Sequence, residues 1–240
     1  MRQHASRSEL KGRARAALLG HYLPLSSAFL SLILLEYLIV APSALTRVYP
    51  PLGLILYYAV NFGIGIFFAV FKVGIAYLFL SNACGQQIYA GGIFTGFWHD
   101  PGKAMRIQLF PALLLLLPQL CFQLFFVRFR TDGGAFWLGL TLAALLVFFA
   151  VSLFLKILYS QAFYIMLDFP ELTARECLQR SRRLMRGSKW RYFLLLASFL
   201  PWLILSLFTC GLGLLYVYPY QNQTYAFFYL DLIQPGRQSS

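Results

Sequence analysis

The chain has 240 residues, of which 60% are hydrophobic and only 12% are charged. A soluble domain carries about twice that charged fraction, so the composition excludes a water-soluble enzyme, a disordered chain and a disulfide scaffold. It indicates an integral membrane protein. The net charge of +12 is then best explained by basic flanks that face an anionic inner leaflet, and we expect no nucleic-acid partner.

Six segments of the sequence are candidates for membrane-spanning helices, each of which needs about 20 predominantly apolar residues. We predict spans at 22–41, 52–80, 107–127, 136–166, 191–209 and 214–233. The third contains Pro111 and Pro118, which a span tolerates because neighbouring helices satisfy the freed carbonyl groups. The sixth has a polar middle, so it is predicted as a packed span, with an interfacial helix as the alternative. The expected fold class is an all-α polytopic membrane helix bundle.

Lys and Arg residues are distributed unevenly between the two sides of this predicted topology. Alternate segments, beginning with the N-terminal one, hold 14 basic residues, whereas the opposite loops hold three, Arg47, Arg128 and Arg130. Because cytoplasmic loops carry the excess of Lys and Arg, we predict that the N terminus is cytoplasmic. With six spans the C terminus is cytoplasmic too, and the expected location is the bacterial cytoplasmic (plasma) membrane.

Two cytoplasmic segments, 1–21 and 167–190, have the pattern of basic amphipathic helices that lie in a membrane interface. Each contains a capping box, Ser6–Glu9 in the first and Thr173–Glu176 in the second. An apolar stripe follows each box, and most basic residues lie off the stripe. The predicted contacts for anionic lipid or a partner are Arg13, Arg15, Arg175, Arg180, Arg182, Arg183, Arg186 and Lys189. The alternative is that these residues only fix the topology.

Three ionisable residues, Glu36, Lys72 and Lys156, fall inside predicted spans. Charged side chains are costly in lipid and usually face a bundle interior or water. Lys72 and Lys156 fall in the cytoplasmic halves of their spans, where each lysine either snorkels to the interface or lines a cavity for an anionic head group. Glu36 lies nearer the outer side, and we expect its carboxyl to be buried and protonated or hydrogen-bonded.

Residue patterns for catalysis or metal binding are scarce. The four cysteines form no C-x-x-C pair, and the sequence lacks an H-E-x-x-H metal motif, a G-x-S-x-G elbow and a phosphate-binding loop. His99 and Asp100 near Lys103 are more simply a solvated turn, and Asp168 and Glu171 more simply helix-entry residues. We therefore expect no enzymatic activity, no catalytic residue, no metal and no cofactor.

One stretch of the sequence resembles a known family. Residues 168–178 follow the pattern D-x-P-E-L-x-A-R-E-x-L, and Gly187 and Trp190 belong to a Gly-x-Lys-Trp entry into the next span. The residues that carry the resemblance are Asp168, Pro170, Glu171, Arg175, Glu176, Gly187, Trp190, Pro219, Tyr220, Thr224, Tyr225 and Tyr229. They resemble the bacterial integral-membrane family catalogued as a domain of unknown function, DUF 975. The resemblance implies a polytopic membrane protein and brings no reaction or substrate with it.

The predicted organisation has five regions. They are a basic helix at 1–21, four spans within 22–166, a basic helix at 167–190, two spans within 191–233 and a cytoplasmic tail at 234–240. The leading hypothesis is a non-enzymatic envelope protein that organises membrane lipids, anionic ones above all, or a partner membrane complex. The alternative is a transporter of lipid or small molecules with a cytoplasm-facing cavity around Lys72 and Lys156.

Overall fold

The structure, a computed structural model, describes residues 5–42, 52–209 and 211–233. Within these ranges the chain is helical and contains no strand. The predicted tail 234–240 lies outside the described residues. The helices are α1 (Arg7–Leu18), α2 (Tyr22–Val40), α3 (Leu52–Phe67), α4 (Ala69–Ala83), α5 (Thr95–Trp98), α6 (Pro101–Asp132), α7 (Ala135–Tyr159), α8 (Ala162–Asp168), α9 (Ala174–Leu184), α10 (Lys189–Ala197), α11 (Leu200–Phe208) and α12 (Leu214–Ile233), with a 3₁₀ segment at Ala90–Phe94.

Five helical stretches within the described residues are long and apolar enough to span a membrane. They are Tyr22–Val40, Ile55–Ala83, Pro101–Asp132, Ala135–Asp168 and Lys189–Phe208. Each overlaps one of the first five predicted spans. Short irregular joints divide three of them, near Phe68, Ser160 and Ser198, and the sequence analysis did not predict these joints.

The last helix, α12, has the bounds predicted for the sixth span. It is not among the five apolar stretches, because glutamine, asparagine and Asp231 lower its hydropathy. More than half of its residues are nevertheless buried, with Tyr220, Phe228 and Tyr229 at 1% exposure or less. It packs against α1, α2, α4 and α11. A helix enclosed in this way has no free face to lay on a membrane surface, and this favours the packed span over the interfacial helix.

The segment between α4 and α6 folds back along α4 instead of forming an open loop. Two glycines allow the backbones to touch. A Cβ on Gly74 would lie 1.9 Å from the carbonyl oxygen of Ile93, and one on Gly96 would lie 2.0 Å from that of Val70. Only glycine permits such close approach, so the 3₁₀ segment and α5 are held firmly against α4.

The two ends of the described chain meet. The Asp231 carboxylate, near the end of α12, accepts a hydrogen bond from the Ala5 amide at 2.8 Å and pairs with Arg191 at 2.9 Å. Arg191 also donates to the Ala5 carbonyl oxygen at 2.8 Å. We call this side of the bundle, which carries α1, α9 and the end of α12, the basic end.

Candidate functional site

A cavity of about 470 Å³ lies between the α6–α7 hairpin and the helices that surround α12. Lys72 enters it from α4 and Lys156 from α7, so the structure brings the two predicted lysines to one site. The volume falls in the range of about 300–1,000 Å³ that is typical of small-molecule sites. The other polar residues that line it are Gln108, Ser152, Tyr159, Ser160, Tyr164, Tyr192, Tyr218, Gln221, Asn222 and Tyr225.

The two amines give the cavity its electrostatic character. Lys72 Nζ donates a hydrogen bond to Gln108 Oε1 at 3.0 Å, and Lys156 lines the same cavity. No Asp or Glu is among the described residues that line the site. Two like charges facing one space repel each other, and an anion between them relieves that repulsion.

The wall opposite the lysines is formed by α12 and is rich in hydroxyl and amide groups. Gln221 donates a hydrogen bond to the hydroxyl of Tyr225, and Asn222 Nδ2 donates to the carbonyl oxygen of Tyr218 at 2.9 Å. Apolar side chains such as Ile75 lie between these polar groups. The cavity therefore combines cations, neutral hydrogen-bonding groups and apolar surface, as an amphiphilic anion requires.

Glu36 does not have the buried position that the sequence analysis predicted. Its side chain is exposed on α2, and no hydrogen bond within the described residues involves it. The buried face of α2 is the stripe Leu25, Ala28 and Leu32, and Glu36 follows on the same face one turn beyond Leu32. Glu36 is not part of the cavity wall.

The second basic helix, α9, is fixed to the bundle through its apolar face. Cys177, Leu178 and Ser181 are buried, and the Ser181 hydroxyl donates to the carbonyl oxygen of Leu158 at 2.8 Å. The predicted capping box is present between Thr173 and Glu176. Hydrogen bonds from Thr173 lower the pKa of the Glu176 carboxyl, because they stabilise its ionised form.

The first basic helix, α1, is packed in the same manner. Leu10, Ala14 and Leu18 are buried, mainly against α12. Lys11 lies over the ring of Phe199 and donates to the carbonyl oxygen of Ser198 at 3.1 Å. Burial and the nearby positive charges of arginines lower the pKa of the Lys11 amine. In both basic helices, the apolar stripe that was predicted to enter lipid is covered by protein, so the faces left for other contacts are polar.

Some of the predicted lipid or partner contacts have partners within the protein. Arg15 donates to the Tyr220 hydroxyl at 3.1 Å, and Arg180 lies 3.7 Å from the centre of the Phe169 ring. Arg13 pairs with Glu9 at 2.6 Å, and Lys189 lies over the Phe154 ring. The remaining four are exposed, and no side-chain hydrogen bond or ion pair among the described residues involves them: Arg175, Arg182, Arg183 and Arg186.

Three of the residues that carried the family resemblance, Asp168, Pro170 and Tyr229, make contacts at the basic end. The Tyr229 hydroxyl donates to the Asp168 carboxylate at 2.6 Å, and its ring stacks on Tyr164. Lys103 donates to the carbonyl oxygen of Pro170 at 2.5 Å. These contacts join the loop after α8 to α6 and α12, so Asp168 and Lys103 each have a structural partner.

Several polar contacts of the core were not predicted from the sequence. Asn82 Nδ2 donates to the Ala17 carbonyl oxygen at 3.0 Å and to Gln223 Oε1 at 2.8 Å. Gln223 in turn donates to the Phe79 carbonyl oxygen at 3.2 Å. The sequence feature that could have predicted these contacts is the presence of uncharged amide side chains inside apolar segments. Gln108 in the cavity wall is another side chain of this kind.

These features define a class of protein, an all-α membrane helix bundle with a cationic cavity between its helices. The chain matches the family described as "Protein of unknown function (DUF975)" over residues 1–235, and it belongs to that family. No curated protein and no solved structure matches the chain.

Proposed function

We propose that this protein binds an anionic phospholipid of the bacterial cytoplasmic membrane, with the head group in the cavity between Lys72 and Lys156. The observation that carries the proposal is that two lysines from different helices line one cavity whose described lining contains no acid. A lysine that only snorkels extends toward water on its own and needs no second amine beside it. The phosphate of the lipid would pair with both amines, and the role is non-enzymatic.

The mixture of groups in the wall supports a lipid over a fully polar solute. Apolar side chains of Ile75, Ile107, Leu115 and Leu155 share the lining with the lysines and the tyrosine hydroxyls. A phospholipid presents the same combination, a charged phosphate beside glycerol esters and the start of the acyl chains. A small inorganic anion would leave the apolar part of the wall without a partner.

The test is native mass spectrometry of the full chain in mixed micelles that contain phosphatidylglycerol and phosphatidylcholine. We compare wild type with the double variants Lys72→Met/Lys156→Met, which removes both charges, and Lys72→Arg/Lys156→Arg, which keeps them. Charge-assisted hydrogen bonds contribute about 1.5–3 kcal/mol each, so we expect the methionine variant to lose phosphatidylglycerol affinity at least about tenfold. The arginine variant should retain most of it.

Equal retention of phosphatidylglycerol by wild type and the methionine variant would refute the proposal. A titration with inorganic phosphate distinguishes a lipid site from a site for a soluble anion. If phosphate alone occupies the site and displaces the lipid, the lipid assignment is wrong.

A second candidate function is the organisation of lipid or a partner complex at the membrane surface. It is supported by exposed arginines at and just after the end of α9, of which Arg182, Arg183 and Arg186 have no side-chain partner among the described residues. Each basic residue near an anionic surface contributes about 1 kcal/mol of attraction. The triple variant Arg182→Ala/Arg183→Ala/Arg186→Ala is therefore a further arm of the same experiment. Loss of lipid in that arm alone would favour the surface function over the cavity.

A further inference from the structure

A second cavity, of about 240 Å³, lies between α3 and α6 and adjoins the first, with which it shares wall residues. Gln108 and Leu115 line both cavities. The second cavity extends from them toward the end of α6 that is opposite the basic end. Its polar lining comprises Tyr58, Asn61, Gln108, Gln119 and Gln123.

The glutamines of α6 lie on one helical face. Gln108, Gln119 and Gln123 are separated by eleven and four residues, which bring side chains to the same side of an α-helix. At about 1.5 Å per residue, the row covers about 22 Å along the helix. The hydrocarbon core of a bilayer is about 30 Å thick, so the row crosses most of it.

The amides of Gln119 and Gln123 make no hydrogen bond to other described residues. An amide without a partner in an apolar environment costs several kcal/mol, and irregular or polar groups at membrane depth are tolerated where they line a water-filled space. Pro111, which lines the first cavity, adds to this polarity because its missing N–H leaves the carbonyl group of residue 107 without its usual helical donor. Polar groups thus recur along α6 from the lysines to Gln123, with apolar Ala112, Leu115 and Leu116 in the lining between Gln108 and Gln119.

We propose that the two cavities form one path along α6, on which the head group of an anionic phospholipid moves between the two leaflets while its acyl chains stay in the bilayer. This inference rests on the proposed function, because Lys72 and Lys156 are the entry site of the path. The glutamine amides replace the hydration of the head group as it crosses. No covalent step is involved, and the direction of net movement follows the lipid gradient.

The experiment uses the full chain reconstituted in vesicles of phosphatidylcholine and phosphatidylglycerol with a trace of fluorescent phosphatidylglycerol. Dithionite bleaches only the label in the outer leaflet, so loss of the inner fraction measures translocation. We expect wild-type vesicles to lose nearly all fluorescence and protein-free vesicles about half. In Gln119→Leu/Gln123→Leu we expect translocation to slow about tenfold, which corresponds to about 1.4 kcal/mol in the barrier, whereas lipid binding stays unchanged.

The matched control is Gln86→Leu/Gln87→Leu, which makes the same change at two exposed positions after α4. This variant should translocate lipid at the wild-type rate. Retained phosphatidylglycerol binding by the Gln119→Leu/Gln123→Leu protein shows that it is folded.

The outcomes separate the two proposals. If wild type binds phosphatidylglycerol at the lysines but does not translocate it, or if the Gln119→Leu/Gln123→Leu variant translocates as fast as wild type, the path along α6 is wrong and the lipid site stands. If Lys72→Met/Lys156→Met binds lipid as wild type does, the proposed function itself fails. Fluorescence loss that is equal for all variants and accompanied by leakage of an entrapped dye would show a damaged bilayer, and it would also overturn the inference.

Discussion

At the scale of single residues, the contact of Arg191 with Asp231 is the most buried ion pair in the described part of the chain. Asp231 is 8% exposed and Arg191 29% exposed. The Arg191 guanidinium also lies over the Phe228 ring, and its Nη1 atom is buried without a hydrogen-bond partner. The Asp231 carboxylate therefore compensates the free-energy cost of burying the guanidinium charge.

Replacing Asp231 with alanine should destabilise the protein strongly. Breaking a buried ion pair by removing one partner leaves an uncompensated charge and costs about 3–5 kcal/mol. Because Arg191 keeps some exposure, we expect about 3 kcal/mol, seen as a lower midpoint of thermal unfolding in detergent. The same substitution should release the chain near Ala5, which limited proteolysis at the N terminus would detect.

Asp132→Ala provides the matched control for this prediction. Asp132 pairs with Arg128 at 3.7 Å on an exposed surface, where an ion pair contributes about 1 kcal/mol or less. If the two variants unfold at the same midpoint temperature, the Arg191–Asp231 pair contributes no more to stability than the exposed Arg128–Asp132 pair.

At the scale of helices, hydrophobic runs were sufficient to predict where the apolar helices lie, but not how they are joined. The run 136–166 predicts one helix, whereas the structure has a joint between α7 and α8 near Ser160. Such joints depend on packing against neighbouring helices, which a single sequence does not display. The segment 90–98 lies outside the predicted helices for the same reason, because its contact with α4 arises from Gly74 and Gly96 meeting distant backbone atoms.

The candidate site was predictable to the extent that its residues are charged. Lys72 and Lys156 are conspicuous in apolar runs, and the sequence analysis gave a cavity around both as one of two interpretations, the other being that each lysine snorkels to the interface. The three glutamines of α6 carry no charge and are compatible with the composition of a span. Their alignment on one helical face pointed to a site only once the structure showed a cavity between α6 and α3. Glu36 was equally conspicuous, but its burial was predicted wrongly because few helices pack against α2.

Gly74→Ala should destabilise the contact between α4 and the 90–98 segment. The new Cβ would lie 1.9 Å from the Ile93 carbonyl oxygen, and backbone atoms cannot move aside as a flexible side chain does. Overpacking typically costs about 1–3 kcal/mol, and we expect the upper part of that range. The unfolding midpoint in detergent and hydrogen exchange at residues 90–98 measure the effect.

Gly63→Ala is the control for the glycine prediction, since no atom lies within 4 Å of the new Cβ on α3. Alanine is favoured over glycine in a helix by about 0.8–1.0 kcal/mol, so this variant should be as stable as wild type or more stable. A destabilisation equal to that of Gly74→Ala would mean that the close contact with Ile93 does not matter.

At the scale of the whole molecule, the contact between Ala5 and Asp231 restricts the topology. Five crossings by the apolar helices would leave the two ends of the chain on opposite sides of the membrane. The hydrogen bond between Ala5 and Asp231 places these two residues together, so we predict a sixth crossing. The helix α12, which runs from Leu214 to Ile233 and ends near Arg191 and Ala5, is the segment predicted to make it.

Reporter fusions test this topology together with its orientation. The excess of basic residues in the alternate segments predicts that both ends face the cytoplasm. A fluorescent protein fused at either terminus should therefore fold and fluoresce. Alkaline phosphatase inserted at Gly133, in the turn between α6 and α7, should be active because that turn is predicted to face outward. If the two termini are found on opposite sides of the membrane, Ala5 and Asp231 cannot contact each other, and the prediction of a packed final span is wrong.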